Sequence, residues 1–532
     1  SGLGYGDSSR VGVNYGTYKS VCDWYNAEDL RYITTLGAQG TKPGYTSYHW
    51  KDSRVTVMRN DWTVNSPYLF TNVRGGGSHG HADDNQIVLY AYGRELLPDR
   101  GIFSYATTGD LAELTKWGKS SLAHSTVVIN DTSQEYKSGT KGSVQKIVLE
   151  DNYNYLKQTT PNTEGYDHER AILYLKPDLW IVSDRMTPDD ADKVNDYKQK
   201  WFTNYDANIS SEEKTLRSNY SEGANIIITS ADADEDVHID DCVFDRSTNE
   251  LVETKYGYFE KKSAGECRFD TLLTAVENDN SASVTSEKLS EDAYSAAMRF
   301  DVTRNGEKLT VYYCRSNGTG AVFGDFETDA EAAAVVCTEN GDIENIVRIG
   351  GNYIKKKSSG EVIDGKAPGG KLVAGINGSV CAVYGTLDVS EAGSIVTGCL
   401  TKKSAAGNVT AEDIMWADAV TVDDYGRYMF RFKIGGNIDD YSLKLNIAGK
   451  PYIQNFTRIS DDGTVIRALF NASKCEDFLE GVMQLDNLYL KDSVSYTYLL
   501  AFYDTDGKLI KVSTDENNLS DREKTIKVSE EY

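Results

Sequence analysis

Apolar residues recur at helical spacing only near the start of the chain. Val21, Trp24, Tyr25, Ile33 and Leu36 predict two short helices within residues 1–37, with Asn26, ahead of Glu28 and Asp29, as the second N-cap. From about residue 50 to 365 the pattern changes to short runs broken by Gly, Asn and Asp. Val55–Met58, Tyr68–Phe70, Thr126–Ile129, Ala224–Thr229, Leu309–Tyr313 and Ala333–Val336 read as strands. Gln86–Tyr92 is apolar on both faces, which fits a central strand of a packed sheet. Ala171–Leu175 and Leu179–Val182, separated by Lys176-Pro177-Asp178, read as a hairpin. So many turn-punctuated strands predict a mainly β protein built on a large antiparallel sandwich.

The same pattern divides the chain. Ser358–Gly370 is rich in Ser, Gly, Lys and Pro and reads as a linker. Beyond it, Asp423–Phe432 and Ala501–Ile510 are strand–turn–strand signals in two segments of similar texture. The expected domains are a helical part at 1–37, a sandwich at 38–365, and two small β-sandwich modules at 371–450 and 451–532. The charged tail from Asp521 onward offers no fold signal.

At 532 residues the chain is too long for a single core. Its net charge of −25 argues against nucleic acid and anionic membranes as partners. No run approaches the ~20 apolar residues of a membrane-spanning helix. With no initiator Met and no signal-like start, the chain reads as the mature, trimmed or partial form of something longer. The acidity is uneven: Ala231–Asp241 holds six carboxylates and reads as a solvated acidic loop rather than a calcium site, whereas Asn72–Ser125 is nearly balanced. The eight cysteines form no Cys-x-x-Cys pair, and Cys381 with Cys399 is the one pairing that would fit within a small module.

The candidate chemistry lies in that balanced stretch. Three of the chain's six histidines, His79, His81 and His124, fall within it. On an extended segment His79 and His81 point to one face, and Asp99 and His124 arrive from neighbouring strands. Two imidazoles and a carboxylate around an open position suit a zinc ion, while buried, hydrogen-bonded histidines are the alternative.

Gly75–Asp83 (GGGSHGHAD), Leu89–Asp99 (LYAYGRELLPD), Ser104-Tyr105 and Ala123–Val128 (AHSTVV) together resemble the heparinase II/III-like polysaccharide lyases, as does His168-Glu-Arg170 followed by LKPDLWIVSD to Asp184. The resemblance runs from about Gly4 to Arg185 and does not reach the C-terminal modules. It implies an (α/α) toroid followed by the sandwich, with residues 1–37 as the end of the toroid and the remainder, including catalytic residues, upstream of Ser1. It also implies His81, Asp99 and His124 as ligands of a largely structural metal, zinc with manganese or calcium as alternatives, and His79 as the histidine facing substrate. Tyr105 is a candidate sandwich-side tyrosine. Arg94 and Lys119 are candidates for contacting anionic sugar groups, and His168 for supporting the sandwich.

The implied reaction is β-elimination on an acidic, uronate-containing polysaccharide such as a glycosaminoglycan or alginate, by a secreted or cell-surface protein. It requires neutralisation of the carboxylate, a base for the C5 proton, and an acid for the leaving oxygen. A catalytically inactive carbohydrate-binding protein that reuses the sandwich is the alternative from another class. A zinc hydrolase is a third, and it lacks an obvious general base.

Overall fold

The computed structural model describes residues 15–531 except 76–79, 102, 136–141, 233–235, 246–249, 293, 317–319, 366–371, 378–379, 388–391, 403–413, 425, 435–440, 448–449, 456–465, 475–477, 488–492, 504–508 and 521–522. The chain packs into two compact units. The first takes in residues up to Gly324 and Ala330–Gly350, and the second Asp325–Asp329 and Gly351 onward.

The first unit is a stack of antiparallel sheets. A five-stranded sheet runs in sequence order through β1 (Tyr48–Trp50), β2 (Val55–Arg59), β3 (Tyr68–Asn72), β4 (Ile87–Ala91) and β5 (Arg94–Leu97). After β6 (Val127–Ile129) come β7 (Ser143–Leu149), β8 (Tyr153–Thr163), β9 (Tyr166–Leu175), β10 (Leu179–Pro188), β11 (Val194–Trp201), β12 (Ser210–Glu212), β13 (Thr215–Arg217), β14 (Ala224–Ser230), β15 (Asp236–Asp245), β16 (Leu251–Ala264) and β17 (Cys267–Glu277). Eight of them form the central sheet, in the order β12-β13-β14-β17-β10-β9-β8-β7, and β15-β16-β11-β6 form a smaller one. Another five-stranded sheet follows between Ser283 and Ile349.

The central sheet is buried on both sides, which is why its strands read as continuous apolar runs. Ile172, Tyr174, Trp180, Val182, Ile226, Ile228 and Leu273 share a core with Met58, Leu69, Leu89, Tyr197, Trp201 and Phe259 of the sheets in front. The alternate residues Leu173, Leu175, Ile181, Ile227 and Leu272 share another core with Met298, Phe300, Val311, Tyr313 and Val347 behind. The mainly β, antiparallel sandwich expected from the sequence is thus present, in more layers than two.

Helices α1 (Tyr15–Tyr25) and α2 (Glu28–Thr34) lie where the spacing placed them. Asn26 is not the cap: Ala27 occupies that position, with no side-chain cap hydrogen bond, and Asn26 takes a left-handed φ of 49° between the helices. Their apolar stripe also stays largely exposed, Trp24 at 80% and Tyr25 at 77%.

The second unit holds sheets of three, four, three and two strands between Leu372 and Glu531. Val383, Val396, Leu400, Phe430, Phe432, Leu443 and Leu445 form its main core. Part of the expected linker is a strand, Val362–Gly365 paired with Tyr353–Lys356, and residues 366–370 lie outside the described residues. The charged tail is also a strand: Glu523–Glu531 pairs with Phe478–Asn487 through nine registered positions. Alternating charged and β-branched residues (Thr525, Ile526, Val528) suit such a sheet margin, and charge alone hid the signal. The acidic run differs from the expected loop where it is described, and 233–235 lie outside the described residues. Asp236–Asp245 is the edge strand β15, and Asp232 is buried beside the ammonium groups of Lys261 and Lys288. Cys381 is a buried free thiol, so the Cys381–Cys399 pairing does not form.

Candidate functional site

Three turns of the first unit bring the candidate ligands together. His81 and Ala82 lead into β4, and the Ala82 amide donates to the Lys119 carbonyl at 2.8 Å. Asp99 follows β5, where its Oδ1 accepts the Gly101 amide at 2.7 Å. That tight turn needs the positive φ of 75° that Gly101 supplies. His124 ends the 3₁₀ turn Ser121–Ala123, which follows helix α3 (Asp110–Gly118). All three side chains are buried, each with 2% exposure or less.

Within the cluster the His81 and His124 rings lie 5.5 Å apart between centroids, and His124 Nδ1 sits 3.9 Å from Asp99 Oδ2. Neither ring nitrogen of His124 makes a hydrogen bond to any of the described residues. Gln86 Nε2 donates to Asp99 Oδ2 at 2.9 Å and fixes the carboxylate. Burial alone would raise the Asp99 pKa, but His124, His81, Gln86 and the Gly101 amide outweigh it and hold the group ionised. Burial pushes His124 down to about 4, against the pull of Asp99. At neutral pH the cluster therefore presents a carboxylate and a neutral imidazole, the protonation states a metal ligand needs.

The donor set fits zinc in kind, and one of the two bare nitrogens of His124 is what a bound ion would satisfy. The spacing is looser than a closed site. A tetrahedral ion with ligands at about 2.0–2.1 Å sets them about 3.4 Å apart. Among the described residues, no group of three or more His, Cys, Asp and Glu side chains is drawn tightly enough to hold an ion as it stands.

The other candidates separate. His79 lies outside the described residues, together with 76–78. The stretch carrying it is tied at both flanks, since the Gly75 amide donates to Asp84 Oδ1 at 2.9 Å on one side and His81 and Ala82 are fixed on the other. Tyr105 is 62% exposed, and the Lys119 ammonium stands 5.9 Å above its ring. These two share the side of the site that the Lys119 carbonyl ties to Ala82. Arg94 is turned elsewhere. Its guanidinium donates to the Glu222 and Ala224 carbonyls at 3.0 and 2.8 Å and stacks 3.6 Å over Tyr220, clamping β5 to β14.

Behind the cluster is a buried ionic network that sequence reasoning credited only to His168. Asp184 accepts from His168 Nε2 at 2.7 Å, from Arg170 Nε and Nη2 at 2.7 Å each, and from Gln199 Nε2 at 2.8 Å. The remaining terminal nitrogen of Arg170 donates to the Asn85 carbonyl at 2.6 Å and the Ser125 carbonyl at 3.0 Å. One guanidinium thereby fixes the backbone four residues past His81 and the residue next to His124. The signal was available: counted back from the Lys176-Pro177-Asp178 turn, Arg170 falls directly opposite Asp184 on paired strands. Charged partners at inward positions of an apolar hairpin mark a buried pair.

Residues 63–299, a little under half of the chain, match the family model described as heparinase II/III-like, C-terminal, and that span holds all three cluster residues. A heparin-sulfate lyase of Pedobacter heparinus is 22% identical over 289 residues, covering 53% of this chain and 43% of that protein. One of Bacteroides thetaiotaomicron is 24% identical over 318 residues, covering 54% and 43%. The chain thus spans less than half the length of these curated relatives. Among solved structures, the heparan sulfate lyase of Pedobacter heparinus superposes with a TM-score of 0.53 at 21% identity, over 58% of this chain and 49% of that one. A crystal structure of heparinase III gives 0.51 at 17% identity, over 58% and 50%. These two likenesses establish the fold alone.

Proposed function

We propose that this chain is the sandwich part of a secreted or cell-surface polysaccharide lyase that cleaves a uronate-containing polymer by β-elimination. The observation that carries the reading is the convergence of His81, Asp99 and His124 in one buried cluster directly beside the glycine-flanked segment bearing His79. Lyases among the relatives that share this domain support it.

In this reading His81, Asp99 and His124 hold a zinc ion, which would cross-link the three turns and keep them rigid. His79, two residues before His81, is left to face the substrate. A neutral imidazole there takes the C5 proton, or a protonated one offsets the growing charge on the uronate carboxylate. Tyr105, exposed beside Lys119, is placed to meet the sugar, and the Lys119 ammonium supplies positive charge for an anionic group. Arg94, engaged with the Glu222 and Ala224 carbonyls and the Tyr220 ring, is given a structural role in this reading. The residues that complete the acid–base pair belong to the toroid that the resemblance implies.

Incubating the protein, with and without its upstream region, with glycosaminoglycans and alginate tests the reading. A lyase releases an unsaturated uronate that absorbs in the ultraviolet, and His79→Ala should abolish its release. New reducing ends without that absorbance would mean hydrolysis, and polymer binding without either would mean a carbohydrate-binding protein. An unchanged rate in His79→Ala would remove the role given to that histidine.

A further inference from the structure

The edge of the five-stranded sheet farthest from β5 carries a row of exposed aromatic rings. Tyr45, Tyr48 and Trp50 are 45%, 45% and 48% exposed. On β1 and β2 the residues alternate. Thr56 and Met58 are buried, with Met58 in the core, whereas Tyr48, Trp50 and their partners Val57 and Val55 lie on the outer face. The rings touch one another in sequence. Trp50 meets Tyr48 at 5.0 Å between centroids, Tyr48 meets Tyr45 at 5.5 Å, and Tyr45 meets Trp62 at 6.1 Å. Trp62 Nε1 donates to the Tyr45 carbonyl at 2.6 Å, and the Arg59 guanidinium lies 4.8 Å over Trp62 and 4.2 Å over Tyr68. Farther along the sheet the turn after β2 covers this face, with the Tyr90 hydroxyl bonded to the Val64 carbonyl at 3.0 Å. Among the described residues the β1 end is left open.

We propose that this aromatic row binds an acidic polysaccharide at a surface separate from the His81, Asp99 and His124 cluster. Three features favour that occupant. A connected apolar patch in water is costly unless something covers it. Rings already held by their neighbours lose little side-chain freedom on binding, and they present flat faces suited to the C–H face of a pyranose ring. The stretch 41–62 is also locally basic in an acidic chain: it holds Lys42, Lys51, Arg54 and Arg59 against Asp52 and Asp61, with Lys42 and Lys51 exposed, where the chain overall carries −25. A polyanion is attracted to this region and repelled by most of the remaining surface.

The surface lies four strand steps from β5, and Asp99 follows that strand. At about 4.8 Å per step this is roughly 19 Å, so a single polymer reaches both places over several sugars. Its role is to hold polymer near the cluster rather than to act on a bond. The acidic class of the polymer rests on the function proposed above, but the rings and their exposure do not.

The test is electrophoresis of the full chain through gels containing heparan sulfate, alginate or neutral dextran, run beside the unsaturated-uronate assay. Wild type should be retarded by an acidic polymer and not by dextran. Tyr48→Ala/Trp50→Ala should weaken that binding about tenfold or more, the equivalent of one to two ring contacts, with an unchanged unfolding midpoint. Lys42→Gln/Lys51→Gln should weaken it less and flatten its salt dependence. Equal retardation of wild type and the aromatic double variant overturns the proposal, as does absence of retardation in every acidic gel. A wild-type dimer that the double variant dissolves also overturns it, because the rings then pair two copies of the chain. Ring-dependent binding with no unsaturated product, even when the upstream region is included in the assay, would leave this surface standing and remove the lyase reading.

Discussion

The two buried histidine–aspartate sets of the first unit are built from the same groups but finished differently. Around Asp184 four donors converge on one carboxylate, and the Arg170 hydrogen bonds run on into the backbone of two neighbouring turns. Around Asp99 the carboxylate is fixed by Gln86 and Gly101, but His124 keeps both nitrogens unbonded among the described residues. Leaving a buried polar atom unmet costs about 1–3 kcal/mol, so a protein keeps such atoms where a ligand meets them. His168 Nδ1 is unmet as well, but the Asp184 carboxylate itself is saturated and holds the frame, whereas His124 leaves both ring nitrogens open among the described residues.

The largest effect should come from breaking the saturated set. Arg170→Met leaves Asp184 charged and buried, and chemical denaturation should show a loss of about 3–5 kcal/mol. A loss below about 1 kcal/mol would mean the network does not hold the frame and would dissolve the contrast.

Acid should act through the same carboxylate with a definite sign. Burial opposes ionisation of Asp184, yet Arg170 and His168 hold its pKa far below the usual carboxylate range. A group depressed in the folded state contributes stability that is present above its unfolded pKa of about 3.9 and is lost as pH falls below it. Asp270, held down by Arg315 and Ser183 against its own burial, adds to the same limb. Unfolding midpoints should therefore be level above about pH 5 and fall below about pH 4. Asp184→Asn should start lower and fall less steeply.

The unsaturated set should respond to metal instead. With zinc at a hundredfold excess over its dissociation constant, the wild type should gain about 2.7 kcal/mol, and a chelator should remove the gain. His124→Ala should show neither response, and elemental analysis should find its metal content reduced. Indifference of the wild type to both zinc and chelator would make the two sets alike after all.

The smallest effects separate the two surface cations. Arg94→Ala should cost about 1 kcal/mol of stability through its lost carbonyl contacts and leave polysaccharide affinity unchanged. Lys119→Ala should do the reverse, with little change in stability and a modest, salt-dependent loss of affinity.

Much of this frame was legible in the chain. Continuous apolar runs marked the doubly buried central strands, and the Lys176-Pro177-Asp178 turn marked the hairpin that carries Arg170 and Asp184. The three cluster residues stood out because histidine is scarce and glycine surrounds it. What escaped detection depended on tertiary context. Asp232 looked solvated because Lys261 and Lys288, its partners, are 29 and 56 residues away. The final strand looked shapeless because its partner ends 36 residues earlier. Arg94 looked like a ligand-facing cation because nothing nearby in sequence announces the Glu222 and Ala224 carbonyls.

The Arg170 guanidinium meets its two turns through carbonyl oxygens alone, those of Asn85 and Ser125. It therefore recognises the path of the backbone and is indifferent to which side chains the turns display. Exposed residues of those turns can be exchanged, by drift or by design, without loosening the anchor, provided the buried Asn85 and Ser125, whose side chains bond the His168 carbonyl and the Phe202 amide, stay in place. A protein arranged this way can change what it recognises at far lower risk to its fold, and libraries that randomise the exposed turn positions while keeping Arg170 and Asp184 should retain folded members.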